Sequence, residues 1–219
     1  MSGNEPTQHE YLNGDTLARA LGPKGEATRQ RLLVAAEEVF GTLQYHGASI
    51  SEITRRAGVA QGTFYLYFPS KQAIYRELVQ HLSRSMRTHI AIAVSALEDR
   101  MAVERQGLHA FLSFVREHHY LYRIVREAEF VDEEIYRWFY RHLAEGYRRG
   151  LTAAAGKAQV RDLEPETVAY CLMGVADFIG MRWVLWEDQE PPQEVFETVM
   201  AFIAGGLQLP SGKGEGAGA

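Results

Sequence analysis

Apolar residues recur along this chain at three- and four-residue intervals, and no stretch of useful length alternates with period two. That spacing predicts helices, not strands. Thr28 to Phe40 places Leu32, Leu33, Ala36, Val39 and Phe40 on one face. A stripe of Tyr75, Leu78, Leu82 and Met86 predicts a helix from Lys71 to about Met101. Leu108, Phe111, Leu112 and Val115 mark another, followed by Tyr122 to Ala128. Asp132 is placed to cap a long helix carrying Ile135, Trp138, Phe139, Leu143, Tyr147 and Leu151. Pro165 suits the first turn of the next helix, where its missing N–H costs nothing. Pro191 and Pro192 separate that helix from a last one with Val195, Phe196, Val199, Phe202, Ile203 and Gly206. The expectation is an all-α chain of about nine helices. Residues 1–23 read as a flexible leader in which only Thr16 to Leu21 has helical potential, and residues 210–219 read as a disordered tail.

Composition removes several classes. A single cysteine among 219 residues, Cys171, excludes a disulfide framework and a cysteine-rich zinc site, and its apolar neighbours predict a small core residue. The first residues lack a basic region followed by an apolar one, so a cytoplasmic location is expected. Val168 to Trp186 has the length of a membrane span, but Asp177 and Arg182 sit inside it, and a buried soluble helix is the better reading. The net charge of −5 argues against nucleic acid as a partner. Partitioning reverses that argument: residues 24–76 carry +3, residues 1–23 carry −2 and residues 77–219 carry −6.

The basic region contains GASISEITRRAGVAQGTFYLYFPSKQ over residues 47–72. It reads as a short helix capped by Ser51, a left-handed Gly58 with Val59 plugging the corner, and a second helix from Gln61 to Tyr67. Ile53 and Ala57 face inward on the first helix, Phe64 and Phe68 on the second. The outward face of the second helix carries Gln61, Gly62, Thr63, Tyr65 and Tyr67. Gln has an amide fork for adenine edges, Gly lets backbone approach closely, and Tyr hydroxyls and Lys71 suit phosphates. On these residues alone the segment fits a DNA reader and an ordinary αα corner equally.

From Arg31 to Ile74 the chain resembles the DNA-binding region of the TetR family of transcriptional regulators. The resemblance is carried by Phe40, Ser49-Ile50, Glu52-Ile53, Ala57-Gly58-Val59, Gly62-Thr63-Phe64-Tyr65, Tyr67-Phe68 and Ser70-Lys71. It implies a three-helix DNA-binding head over residues 24–70 and a larger helical ligand-binding and dimerisation domain over residues 71–209. It assigns base edges to Gln61 and Thr63, close backbone approach to Gly62, and phosphates to Ser49, Ser51, Tyr65, Tyr67 and Lys71. Arg29, Arg55 and Arg56 are further backbone candidates. Two positions depart from the family pattern. Gln44 stands where a glycine usually ends the first helix, and Ala60 stands where serine often caps the second helix of the motif.

The body is rich in aromatic residues at apolar helix positions, a pattern shared by plain cores and by cavities with a few polar fixers. The ligand-binding candidates are Phe111, Phe114, Val115, His118, Tyr122, Arg126, Trp138, Tyr147, Asp177 and Phe178, with His119, Arg123, Glu127 and Arg182 as further fixers. Asp177 and Arg182 fit best as ion pairs to neighbouring helices, with ligand contact second. His118-His119 has no spaced partner set, so no metal is expected, nor any cofactor. Stripes of Val168, Leu172, Val175 and Ile179, and of Val199, Phe202 and Ile203, are assigned by the resemblance to a four-helix homodimer interface. No phosphate loop, nucleophile elbow or carboxylate pair points to an enzyme. The expected function is a ligand-responsive repressor that binds a palindromic double-stranded operator as a dimer. The expected effector is an aromatic compound or an acyl-CoA-like amphiphile, with Glu127 or Asp177 suiting a cation instead. A transcriptional activator and a DNA-independent ligand carrier are the alternatives.

Overall fold

The computed structural model describes residues 22–209; the expected turn at Thr16–Leu21 and the tail at 210–219 lie outside them. The described residues hold nine α-helices, one π-helical turn and no strand. They fall into two compact units, divided between His81 and Leu82.

The first unit opens with α1 (Pro23–Gly47), which starts five residues before its apolar stripe because Pro23 occupies the first turn. Gln44 interrupts it with φ 61° and ψ 170°. The missing glycine is therefore replaced by a strained residue, not by a longer helix. Gln44 is exposed, so a Gln44→Gly substitution removes strain and no buried contact. It should stabilise the protein by about 1 kcal/mol, read as a higher urea midpoint with an unchanged slope. Helices α2 (Ile50–Ala57) and α3 (Gln61–Phe64) follow, then α4 (Lys71–Val94), whose first residues complete this unit. Leu32, Leu33, Phe40, Ile53, Phe64, Ile74, Tyr75 and Leu78 are its fully buried core. Tyr75 meets the ring edges of Phe40 and Tyr45, each at 5.0 Å between centroids.

Helix α4 stops at Val94, short of the expected Met101. Ser95 Oγ turns back to the Ile92 carbonyl at 2.9 Å, and Asp99 caps a new helix by accepting the Ala102 amide at 2.8 Å. The second unit continues with α5 (Arg100–Glu117), α6 (Leu121–Val131), α7 (Glu133–Gly156), α8 (Pro165–Gly180), the π-helical turn Met181–Leu185 and α9 (Gln193–Leu207). Asp132 caps α7 as expected, accepting the Ile135 amide at 3.2 Å. Glu164 caps α8 through the amides of Glu166 and Thr167. The expected 168–186 helix is thus two pieces. Together Pro165–Leu185 is long and apolar enough to cross a membrane by length and composition. One side of α8 is nevertheless used inside the unit, where Ala169, Leu172, Met173, Ala176 and Gly180 are buried. Cys171 is exposed, not a core residue, because it falls on the other side of that helix.

Candidate nucleic-acid interface and effector cavity

Local hydrogen bonding builds the helix-turn-helix. Ser49, not Ser51, caps α2, its hydroxyl accepting the Glu52 amide at 3.1 Å. Gly58 ends α2 in the left-handed region with φ 63°, and the Val59 amide returns to the Thr54 carbonyl at 3.0 Å. Arg31 of α1 locks that corner. Its guanidinium donates to the Ala57 carbonyl at 3.1 and 2.5 Å and to the Gly58 carbonyl at 2.9 Å. Ala60 supplies no side-chain cap, and α3 is a single turn that closes at Phe64, short of the expected Tyr67. Tyr65–Tyr67 continue as a turn that keeps Phe68 buried against Phe64, with ring centroids 5.7 Å apart.

This arrangement leaves Gln61, Gly62 and Tyr65 exposed and Thr63 and Tyr67 half-buried. A Cβ placed on Gly62 would meet no atom within 4 Å. Leu66, 77% exposed beside this face, was not singled out by the sequence. The basic residues sort differently from expectation. Lys71 Nζ donates to the carbonyls of Tyr45 at 2.8 Å and Ala48 at 2.9 Å, and sits 4.4 Å from the Tyr45 ring centre. Arg29 is buried and ion-paired to Glu77 at 2.7 Å, so it is no surface contact. Arg56 pairs with Glu38 and Glu52. Arg55, exposed, forks onto Glu52 at 3.0 and 2.6 Å, and that hydrogen bonding holds the Glu52 carboxyl below its ordinary range.

The second unit encloses a narrow apolar cavity of about 40 Å³ between α4, α5, α6, α7 and α8. Five of the ten sequence candidates line it: Phe111, Tyr122, Arg126, Tyr147 and Asp177. Tyr122 donates its hydroxyl to the Asp177 carbonyl at 2.7 Å, and Arg126 pairs with the Asp177 carboxylate at 3.4 Å. Asp177 thus makes the expected ion pair to a neighbouring helix, whereas Arg182 pairs locally with Glu187. Burial pushes the Tyr122 and Tyr140 hydroxyls well above their ordinary range, and the Asp177 charge adds to the effect. Burial also raises the Asp177 carboxyl, against the opposing pull of Arg126. Gly180 makes room for this cluster, since a Cβ there would lie 2.5 Å from the Tyr122 hydroxyl.

The other candidates lie elsewhere. Phe114 and Val115 are core, Phe114 stacking on His118 at 4.3 Å. Trp138 stacks on His142 at 4.1 Å, and Phe178 is 64% exposed. The sequence missed Met86, Phe139, Tyr140 and Met173 as cavity walls. It also missed a larger, more open cavity of about 570 Å³ whose wall includes Arg84, Arg87, Arg100 and Arg149. Ile90, Leu143 and Tyr147 line both cavities. Arg84 and Arg87 at i and i+3 on one helix were the available signal. Among the described residues no three His, Cys, Asp or Glu side chains cluster as metal ligands.

The residues of the two interface stripes differ in exposure. Leu172, Val199 and Ile203 are buried inside their own unit, and Val168, Val175 and Ile179 are half-buried. Of the seven, only Phe202 is exposed, and Tyr170, Cys171 and Phe178 are the exposed residues the stripe had omitted.

Residues 32–78 match the family model described as bacterial regulatory proteins, tetR family. The chain is 29% identical over 197 residues to the uncharacterized HTH-type transcriptional regulator YdgC of Bacillus subtilis, covering 86% of this chain and 96% of that one. It is 32% identical over 105 residues to the HTH-type transcriptional activator FasR of Mycolicibacterium smegmatis, covering 48% of each. Its fold matches that of FadR from Bacillus subtilis in complex with stearoyl-CoA, with TM-score 0.71, 18% identity, and 81% and 98% of the two chains covered. It also matches the fatty acid degradation regulator FadR from Bacillus halodurans, with TM-score 0.71, 22% identity, and 84% and 95% covered. The helix-turn-helix geometry and these likenesses agree: residues 32–78 are a helix-turn-helix domain of the tetR family, and the chain around them is similar to transcriptional regulators of that family.

Proposed function

We propose that this chain is a cytoplasmic, homodimeric repressor that reads a palindromic operator and releases it on binding an amphipathic effector. The observation that carries the DNA-reading half is the exposed face of Gln61, Gly62 and Tyr65 beside half-buried Thr63, held outward by buried Phe64 and Phe68. One helical turn reads few base pairs, so two copies in successive major grooves, about 34–36 Å apart, are required for specificity. Lys71 is committed to two carbonyls, so phosphate contact rests on Ser51, Tyr65, Tyr67, Arg55 and Ser49, whose hydroxyl accepts the Glu52 amide and keeps its own O–H to donate. Leu66 is placed to meet a thymine methyl.

The cavity supports the effector half. It is apolar, it is enclosed by five helices, and Met86 and Met173 give it walls that yield to a chain. At about 40 Å³ it takes only a slender group until those walls move, so an acyl chain entering end-first suits it better than a compact aromatic, and the stearoyl-CoA held by the solved FadR of the same fold supports that class. Helix α4 carries Lys71 at one end and Met86 and Ile90 on the cavity wall, so occupancy acts on the helix that enters the head. An effector that prefers one arrangement by about 1–3 kcal/mol shifts operator affinity by about 5–150-fold. No part of this role calls for catalysis. Activation is the second reading, favoured by the activator FasR among the relatives.

An operator selected from random duplexes provides the test. Wild-type protein should bind a palindrome with a steep salt dependence and repress a reporter carrying it. Gly62→Ala fills open space in the protein, so its unfolding midpoint should stay level or rise. Its operator affinity should nevertheless fall about tenfold or more, because the added methyl meets DNA. Unchanged affinity would remove α3 from the groove. Reporter induction in place of repression would decide for the activator.

A further inference from the structure

The larger cavity of the second unit has a charge that its apolar area does not explain. Arg84 and Arg87 lie one turn apart on α4, and Arg149 comes from α7. Arg100 and Glu104 complete the charged lining, giving four arginines against one glutamate and a net +3. That glutamate is already committed. Arg100 Nε donates to Glu104 Oε1 at 2.8 Å, and both side chains are buried. Burial, and then the charges of Arg84 and Arg149, lower the Arg87 guanidinium from its ordinary range. Arginine remains charged through such a shift, so the like charges stay together at a cost to the fold. Arg149 reaches only to 3.9 Å from Glu145, a carboxylate that Arg148 holds at 3.0 and 2.8 Å.

We propose that this arginine cluster seats the phosphate groups of the effector's head, with the acyl chain passing Ile90, Leu143 and Tyr147 into the narrow cavity. The inference rests on the amphipathic effector proposed above and fixes which end goes where. A multiply charged phosphate head matches three guanidiniums from two helices, each able to fork onto phosphate oxygens. A single carboxylate would satisfy one. The other polar end of the system, Arg126 with Asp177, is a neutral pair and offers an anion no net attraction.

The test compares wild type with an R87Q/R149Q double variant, using stearoyl-CoA, stearate and inorganic pyrophosphate as calorimetric probes. The double variant should bind stearoyl-CoA about 30-fold more weakly or worse, while stearate affinity changes by less than about threefold. Its unfolding midpoint should hold or rise, because like-charge repulsion has been removed, which separates this result from a folding defect. Equal stearoyl-CoA affinity in the two proteins would overturn the head-group site and leave the effector class standing. An equal loss for stearate would make the site a carboxylate site and overturn the phosphate assignment. If neither acyl probe binds wild type, the acyl effector class fails. Pyrophosphate then decides the cluster: binding that the double variant loses upholds a phosphate site, and no binding overturns it.

Discussion

Lys71→Met should destabilise the first unit by about 3 kcal/mol, even though the side chain looks like a DNA contact in sequence. The ammonium donates to two backbone carbonyls, Tyr45 at 2.8 Å and Ala48 at 2.9 Å, and lies over the Tyr45 ring. These carbonyls flank the end of α1, next to the strained Gln44. Hydrogen bonds from a charged donor contribute about 1.5–3 kcal/mol each, and the half-buried position trims the pair toward the lower end. Methionine keeps the stem and loses both bonds. Urea unfolding followed by circular dichroism should show a clear drop in midpoint. The slope of log affinity against log salt should change little at temperatures where the variant is folded. A phosphate contact predicts the reverse: unchanged stability, and a salt slope smaller by about one. That result would return Lys71 to the DNA surface.

Lys71 also shows which kinds of information the sequence carried. Positions set by local backbone chemistry were legible. Gly58 adopts the left-handed conformation, Asp132 caps α7, and Phe64 and Phe68 turn inward, because each depends on neighbours within a turn. Competing caps were harder: Ser49 and Ser51 are both suitable, and the one whose hydroxyl meets the Glu52 amide takes the role. Long-range partners were not legible at all. Nothing near Lys71 announces the carbonyls 23 and 26 residues earlier, and nothing near Arg29 announces Glu77.

The cavity was half legible for a related reason. Aromatic content located the right helices, but not which side of each faces inward. Asp177 lines the cavity while Phe178, next in sequence and about 100° around the helix, is 64% exposed. Trp138 likewise stacks on His142 while Phe139 and Tyr140 form wall. Along the two stripes read as an interface, Leu172, Val199 and Ile203 are likewise buried within their own unit while Phe202 is exposed.

Gly180→Ala should cost about 3 kcal/mol and weaken effector binding, for a reason that a second substitution can isolate. The new Cβ would lie 2.5 Å from the Tyr122 hydroxyl, 3.3 Å from Phe111 and 3.5 Å from Leu112. Tyr122 is buried and its hydroxyl is bonded to the Asp177 carbonyl, so a rigid ring cannot yield without losing that bond or moving α8. Overpacking of this kind costs about 1–3 kcal/mol, and the lost hydrogen bond adds about 1. Helix propensity returns less than about 1 kcal/mol to alanine. Tyr122→Phe alone should cost about 1 kcal/mol, since only the hydroxyl bond is lost. In the double variant the oxygen that the methyl strikes is gone, so the two costs should add to less than their sum by about 1–2 kcal/mol. Effector affinity should recover in parallel, because both residues shape the polar end of the cavity that contains Tyr122 and Asp177. Strict additivity in unfolding free energy would mean that the methyl is accommodated by a shift of α8, and that Gly180 is not what holds the Tyr122 wall in place.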